Sequence, residues 1–266
     1  MYRKLLIPVS SAAEVDPLIR LGANLLDPGG EIRVLHVIPT VTVPEVAREW
    51  RASVHVVIPA HEAAAALDIP VEPEVRASRD VSGEILETAE NHGVDGILLT
   101  LRGSRRSRNP FVGHTATALL QHARSDVVIV NRLALLDNSV TKILLPALGE
   151  QIPRKALLLA EQLSVKHGGA PIVALKFTTR DIGGGVSEAT SDRGLPVRER
   201  WVRLPKRLFA LHRGLSQAML TEIARERYGL CLIAEDPHRA EGPLLTRRFL
   251  EEIFRNAPCP VMAVRG

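Results

Sequence analysis

Short unbroken runs of Val, Ile and Leu alternate along the chain with longer stretches in which apolar residues recur every three to four positions. The runs lack the polar alternation of a half-exposed strand, so they predict strands covered on both faces. They fall first at 4–9, 33–38, 71–76, 96–101 and 126–131. The periodic stretches between them predict helices at 14–26, across much of 44–67 with a break or kink at Pro59, at 81–92 and at 113–124. The same order then recurs, with strands at 142–147, 172–177, 197–204, 230–235 and 261–264 and helices at 153–167, 212–228 and 243–256. Strands alternating with helices in this way predict parallel sheets of the α/β class. One element fails to recur: 178–196 carries Gly183-Gly184-Gly185 among Ser, Thr and Asp residues, a composition that predicts a flexible loop.

The recurrence is also visible in the residues themselves. Arg3-Lys4-Leu5-Leu6-Ile7-Pro8 aligns with Thr141-Lys142-Ile143-Leu144-Leu145-Pro146 at an offset of 138 (142 − 4). Near the end of each half, His122-Ala123-Arg124-Ser125-Asp126-Val127 aligns with Asn256-Ala257-Pro258-Cys259-Pro260-Val261 at 134 (256 − 122). A repeat of this length is a duplicated domain. The 266 residues therefore divide into a first domain, 1–138, and a shorter second one, 139–266.

Composition narrows the function. With 45% hydrophobic residues against 24% charged, each half can bury a core. Aromatics at 3% supply no stacking platform for single-stranded nucleic acid, and no nucleic-acid partner is expected. Cys231 and Cys259 are too few for a disulfide framework and sit in or beside apolar strands, as inert core thiols do. The N-terminal apolar run is only Leu5-Leu6-Ile7, too short for a signal-peptide core, and no run of about 18 apolar residues occurs. A cytoplasmic protein is expected. His61-Glu62 begins like a zinc-protease helix, but Ala65 stands where the second histidine is needed. The Walker A pattern, the Gly-x-Ser-x-Gly elbow, paired acid/base carboxylates and Cys/His clusters are all missing from the sequence, so no enzyme class is indicated.

The formal charge of +4 conceals an asymmetry. Residues 1–138 hold 14 Lys+Arg and 17 Asp+Glu, net −3, which leaves 20 and 13 of the chain's 34 and 30, net +7, for the remainder. Much of the excess lies at 197–213, where Arg198, Arg200, Arg203, Lys206, Arg207 and Arg213 face only Glu199 in sequence. Such a segment suits an acidic partner, a membrane surface, the acidic first half or plain solvent.

The opening Met1-Tyr2-Arg3-Lys4-Leu5-Leu6-Ile7-Pro8-Val9, the strand end Leu35-His36-Val37-Ile38, the run Gly93-Val94-Asp95-Gly96-Ile97-Leu98-Leu99 and the close Asn256-Ala257-Pro258-Cys259-Pro260-Val261 together resemble universal stress protein domains in tandem. The resemblance implies two doubly wound, Rossmann-like domains of the adenine nucleotide alpha hydrolase type, each a five-stranded parallel sheet with flanking helices. It implies ATP or AMP as ligand, with Mg as the accompanying ion, bound at the carboxyl ends of the strands. It further implies a regulatory protein without substantial catalysis, weak ATPase activity remaining open. Val127–Val130 and Val261–Val264 are expected to pair the halves as an internal pseudo-dimer, a homodimer and a protein partner such as a membrane transporter being further expectations.

Nucleotide-binding members carry Gly-x2-Gly-x9-Gly-Ser/Thr after the fourth strand, where small residues let backbone N–H groups approach phosphate and the last glycine opens a helix. Here Gly103 and Gly113 stand at the required spacing, Thr100 replaces the first glycine, and His114 followed by Thr115 replaces the hydroxyl. The resemblance places the base against Pro8, Val9, Ser10, Val37 and Leu99, with Ser10 where an Asp is usual. Arg102, Arg105, Arg106 and Arg108 would overlie the phosphates. In the second half the equivalents are Leu148, Pro237, Arg247 and Arg248, which offer neither the glycines nor their close approach. A second reading of the whole chain is an interaction module that binds no nucleotide. A nucleotide-processing enzyme of similar fold is disfavoured, since Ser10-Ser11-Ala12-Ala13 lacks the Ser-Gly-Gly loop such enzymes use.

Overall fold

The computed structural model describes residues 1–40, 42–101, 113–131, 140–148, 152–178, 186–191, 194–203, 212–235 and 246–265. The chain forms two compact units, one containing Met1–Leu101 with Val112–Ala134 and the other built from Leu135–Gly266.

In the first unit the order is β1 (Tyr2–Val9), α1 (Ala12–Leu25), β2 (Leu26–Ile38), α2 (Val43–Ala52), α3 (Val54–Leu67), β3 (Val71–Ala77), α4 (Val81–Asn91), β4 (Gly96–Thr100), α5 (His114–His122) and β5 (Asp126–Val130). The strands lie in the order β3-β2-β1-β4-β5, all parallel. Leu5, Leu6, Ile7, Val34, Leu35, Ile97, Leu98 and all of β5 are buried, as expected of strands sandwiched between helices. α1 covers the face carrying Leu5, Ile7 and Ile32. Gly22 permits the approach, since a Cβ there would stand 3.0 Å from Ile32 Cδ1 and 3.1 Å from Ile7 Cδ1. α4 lies on the opposite face, where Glu84 accepts from Arg76 of β3 at 3.0 Å.

Pro59 does not break the long helical segment. It lies inside α3, and the division falls at Ser53, whose hydroxyl turns back onto the Glu49 carbonyl at 2.9 Å. Losing one N–H at Pro59 is tolerated because Val56, Ala60 and Ala63, on the turns around it, are buried.

The second unit runs β6 (Ile143–Leu148), α6 (Arg154–Lys166), β7 (Ile172–Thr178), β8 (Val186–Thr190), β9 (Pro196–Arg203), α7 (His212–Glu226), β10 (Leu230–Glu235), α8 (Arg247–Asn256) and β11 (Val261–Arg265). Its order, β11-β10-β6-β7-β9-β8, matches the first unit except for β8. That strand corrects two expectations. Part of the stretch expected to be a flexible loop is ordered, and this sheet has a sixth strand, antiparallel to β9 from Val186↔Arg200 to Thr190↔Pro196. A tight turn makes the hairpin: Gly194, at φ +78, donates its N–H to the Ser191 carbonyl at 2.9 Å, and the Ser191 hydroxyl accepts from the Leu195 N–H at 3.1 Å. Gly183-Gly184-Gly185 lie outside the described residues. Among the described residues no helix is long and apolar enough to cross a membrane.

Candidate functional site

β1 pairs with β2 as far as Val9↔His36, and β4 with β5 as far as Thr100↔Val130, but β1 and β4 pair only at Leu5↔Gly96 and Leu6↔Ile97. The carboxyl halves of β1 and β4 therefore part where the strand order reverses. A crevice at such a switch point is where open parallel sheets bind ligands. Pro8, Val9 and Ser10 border it on one side, Leu98 to Leu101 on the other.

The pleat sorts the side chains expected to hold a base. Parallel partners share a face, so Leu6, Pro8, Val37, Ile97 and Leu99 point to the α4 side, whereas Val9 and its partner His36 point to the α1 side. Pro8, Val37 and Leu99 thus share a wall, and Val9 does not join them. This corrects the expectation of one pocket lined by Val9, Val37 and Leu99. His36 bonds locally, its Nδ1 lying 3.1 Å from the Val9 carbonyl.

Ser10 is not free to offer its hydroxyl proton. Its N–H and its Oγ–H both donate to Glu14 Oε2, at 2.9 Å and 2.8 Å. Glu14 lies in the first turn of α1, where the helix dipole favours a carboxylate. The charge that Ser10 lacks is therefore present, supplied from one helical turn on. Glu14 was missed as a site residue, although Ser11-Ala12-Ala13-Glu14 has the spacing of a capping box. The box is shifted by one residue, because Glu14 reaches Ser10 rather than the N-cap Ser11.

Across the crevice, Thr100 Oγ1 donates to the Val130 carbonyl at 3.2 Å, the same oxygen that accepts the Leu101 N–H at 3.0 Å. Thr100 therefore braces β4 against β5 where the motif has glycine. Gly113 is the N-cap of α5, and among the described residues no side chain caps the helix. A Cβ built on Gly113 would meet no atom of the described residues within 4 Å, so among these residues there is room for an anion at the first-turn N–H groups around His114 and Thr115. At the start of α4, Asp80 Oδ1 accepts from the Gly83 N–H and the Ser82 hydroxyl, both at 2.9 Å. These bonds, with a smaller contribution from His114, hold the Asp80 carboxyl below the usual carboxylate range. Gly103 and Arg105, with the rest of the arginine loop, lie outside the described residues.

The second unit departs at the matching place. Thr246 caps α8, its hydroxyl accepting from the Phe249 N–H at 3.3 Å, so that helix start is closed by its own side chain, whereas no described side chain caps α5. Pro237 lies outside the described residues. The basic segment is also less available than its sequence suggested. Arg200 Nη1 donates to Glu222 Oε1 at 2.6 Å and Glu226 Oε1 at 3.1 Å, and Glu188 lies 4.0 Å from Arg198. The neutralising carboxylates come from α7 and β8. Lys206 and Arg207 are outside the described residues.

Among the described residues no group of three or more His, Cys, Asp and Glu could hold a metal ion. Cys231 and Cys259 are buried, and burial, reinforced by the nearby Cys259, pushes the Cys231 thiol well above its ordinary range. A thiol so held is unreactive.

Residues 1–131 match the sequence model of the Universal stress protein family. Through that segment the chain belongs to this family. A universal stress protein from Archaeoglobus fulgidus superposes with a TM-score of 0.66 at 14% identity, covering 98% of this chain and 95% of that one. The cytoplasmic domain of a prokaryotic cation chloride cotransporter superposes with a TM-score of 0.58 at 12% identity, covering 99% and 95%. These likenesses establish an α/β fold with a mostly parallel sheet and flanking helices. A comparison with curated proteins returned no match.

Proposed function

We propose that this is a regulatory protein of the universal stress type whose first domain binds ATP or AMP in the β1–β4 crevice without substantial catalysis, in the cytoplasm. The observation that carries this reading is the junction of an open switch-point crevice with the uncapped start of α5, where Gly113 leaves space. The base would lie on the wall of Pro8, Val37 and Leu99. The N–H groups of Gly113, His114 and Thr115 would take phosphate, Gly103 and Arg105 being further contacts implied by the resemblance, with Mg accompanying a triphosphate. The second domain, with α8 capped by Thr246, plays a structural part in this reading. Isothermal titration with ATP and with AMP tests it on the unaltered chain and on Gly113→Arg. Heat from the first and none from the second is expected; silence from the unaltered chain, or equal heat from both, refutes the assignment.

A second reading is an interaction module without nucleotide, of the kind that would regulate a membrane transporter. Thr100 favours it, because its hydroxyl is tied to Val130 where a glycine would leave backbone exposed. Mass spectrometry of small molecules released from the purified protein separates the two, since a nucleotide carried through purification contradicts the second.

A further inference from the structure

Among the described residues five large apolar side chains are exposed to solvent, and four of them fall on one line. Val43, Trp50, Val54 and Ile58 are 80%, 53%, 49% and 50% exposed. Their spacings of seven, four and four residues return to the same side of a helix with about 3.6 residues per turn. The stripe runs from α2 into α3 across Ser53, which itself has helical backbone angles, φ −64 and ψ −16. The opposite side of α3 packs inward through Val56, Ala60 and Ala63, all buried. Single exposed apolar residues are ordinary on a surface, but a line of them that includes a tryptophan marks a contact surface.

The charges beside the stripe select its occupant. Arg51 and Glu62 are both exposed, and among the described residues neither has an ion partner. They stand eleven residues apart, about three helical turns, so they flank the stripe on the same side. A two-fold axis that sets two such stripes antiparallel presents the same flank of each copy to the other. With the axis at the level of Val56, Val54 meets Ile58 of the second copy and Arg51 meets Glu62 of the second copy. Each contact occurs twice, because the two residue pairs share nearly the same midpoint. An anionic lipid surface suits this face less, since residues 1–138 carry net −3 and Glu62 borders the stripe. We infer that the α2–α3 face docks a second copy of this chain through the apolar stripe and reciprocal Arg51–Glu62 pairs. The surface shares no residue with β5 and does not depend on the nucleotide reading. A contact this narrow lies at the small end of specific interfaces, so micromolar association is expected.

Sedimentation velocity of the full chain without nucleotide, from about 1 to 200 μM, provides the test. The weight-average mass should rise with concentration from one chain toward two. Ile58→Arg should hold it at one chain throughout, and Glu62→Arg, which sets arginine against arginine twice, should weaken association about tenfold. Arg51→Glu combined with Glu62→Arg restores opposite signs and should recover the affinity to within about threefold of the unaltered chain. The substituted side chains are exposed, and melting curves establish that each variant is folded. A single-chain mass for the unaltered protein at every concentration overturns the inference. Association that Ile58→Arg leaves intact also overturns it, by placing the contact elsewhere, and so does a double variant as weak as Glu62→Arg alone. A chain that stays single yet cosediments with phosphatidylcholine–phosphatidylserine vesicles, and loses this in Ile58→Arg, assigns the stripe to lipid and overturns it equally.

Discussion

Replacing Arg200 by methionine should destabilise the second unit, because it strands a carboxylate that the fold keeps from water. Glu222 is only 5% exposed, and its Oε1 takes Arg200 Nη1 at 2.6 Å and the Tyr228 hydroxyl at 3.3 Å. Without Arg200, that oxygen retains one neutral donor. Breaking a fully buried ion pair by removing one partner costs about 3–5 kcal/mol. Arg200 is itself 24% exposed, and Glu226 keeps Lys142 Nζ at 3.1 Å, so water and a second cation soften the loss. About 2–3 kcal/mol is expected. Methionine at both Arg200 and Glu222 should recover part of this, since apolar side chains of similar volume leave no buried charge. Equilibrium urea unfolding followed by Trp201 fluorescence measures it, in a Trp50→Phe background so that the signal reports β9 alone. A single variant costing less than about 0.5 kcal/mol, or a double variant costing the sum of the two singles, would refute the claim that this pair is desolvated and coupled.

Three further outcomes are expected. Gly96→Ala places a Cβ 2.9 Å from Tyr2 Cε1 and 3.0 Å from Leu5 Cδ2 and should cost about 1–3 kcal/mol of urea stability, a neutral result showing that this contact is loose. Burial raises the Tyr2 and Tyr228 phenols, with the Asp95 and Glu222 charges adding to it respectively. The folded state then holds these protons more tightly than the unfolded one, so stability is kept below about pH 10 and falls as pH rises above it. Tyr2→Phe and Tyr228→Phe should flatten that alkaline fall in melting temperature. Asp80 has the opposite sign: its lowered carboxyl stabilises the fold above the ordinary carboxylate range and loses that contribution as pH falls through its depressed value. Asp80→Asn should therefore lower the melting temperature at neutral pH and shrink its dependence on acid, and an unchanged acid limb would contradict the capping role.

How much was legible beforehand follows from the range over which each feature is encoded. Val/Ile/Leu runs and helical periodicities are local, so the element order, the duplication and the parallel sheets could be read from composition and spacing. Gly113 at the start of α5 was equally legible, because a glycine between a strand and a helix is a short-range signal. Val9, Ser10 and Thr100 were legible as strand-end positions, but their contacts were not. Whether Val9 shares a wall with Val37 depends on the register between strands, which shifts a side chain to the other face with a slip of one residue. Thr100 bonds a carbonyl 30 residues away, and Arg200 a carboxylate 22 residues away, so neither partner is visible from the residue's own neighbourhood. β8 was hidden because Val186–Thr190 is polar and follows a glycine-rich run, and it forms a strand only by pairing with β9. Local pattern was enough to define the elements and their sequence; the tertiary structure decided which side chains meet, because hydrogen bonds and ion pairs are satisfied across the sheet and its helices rather than along the chain.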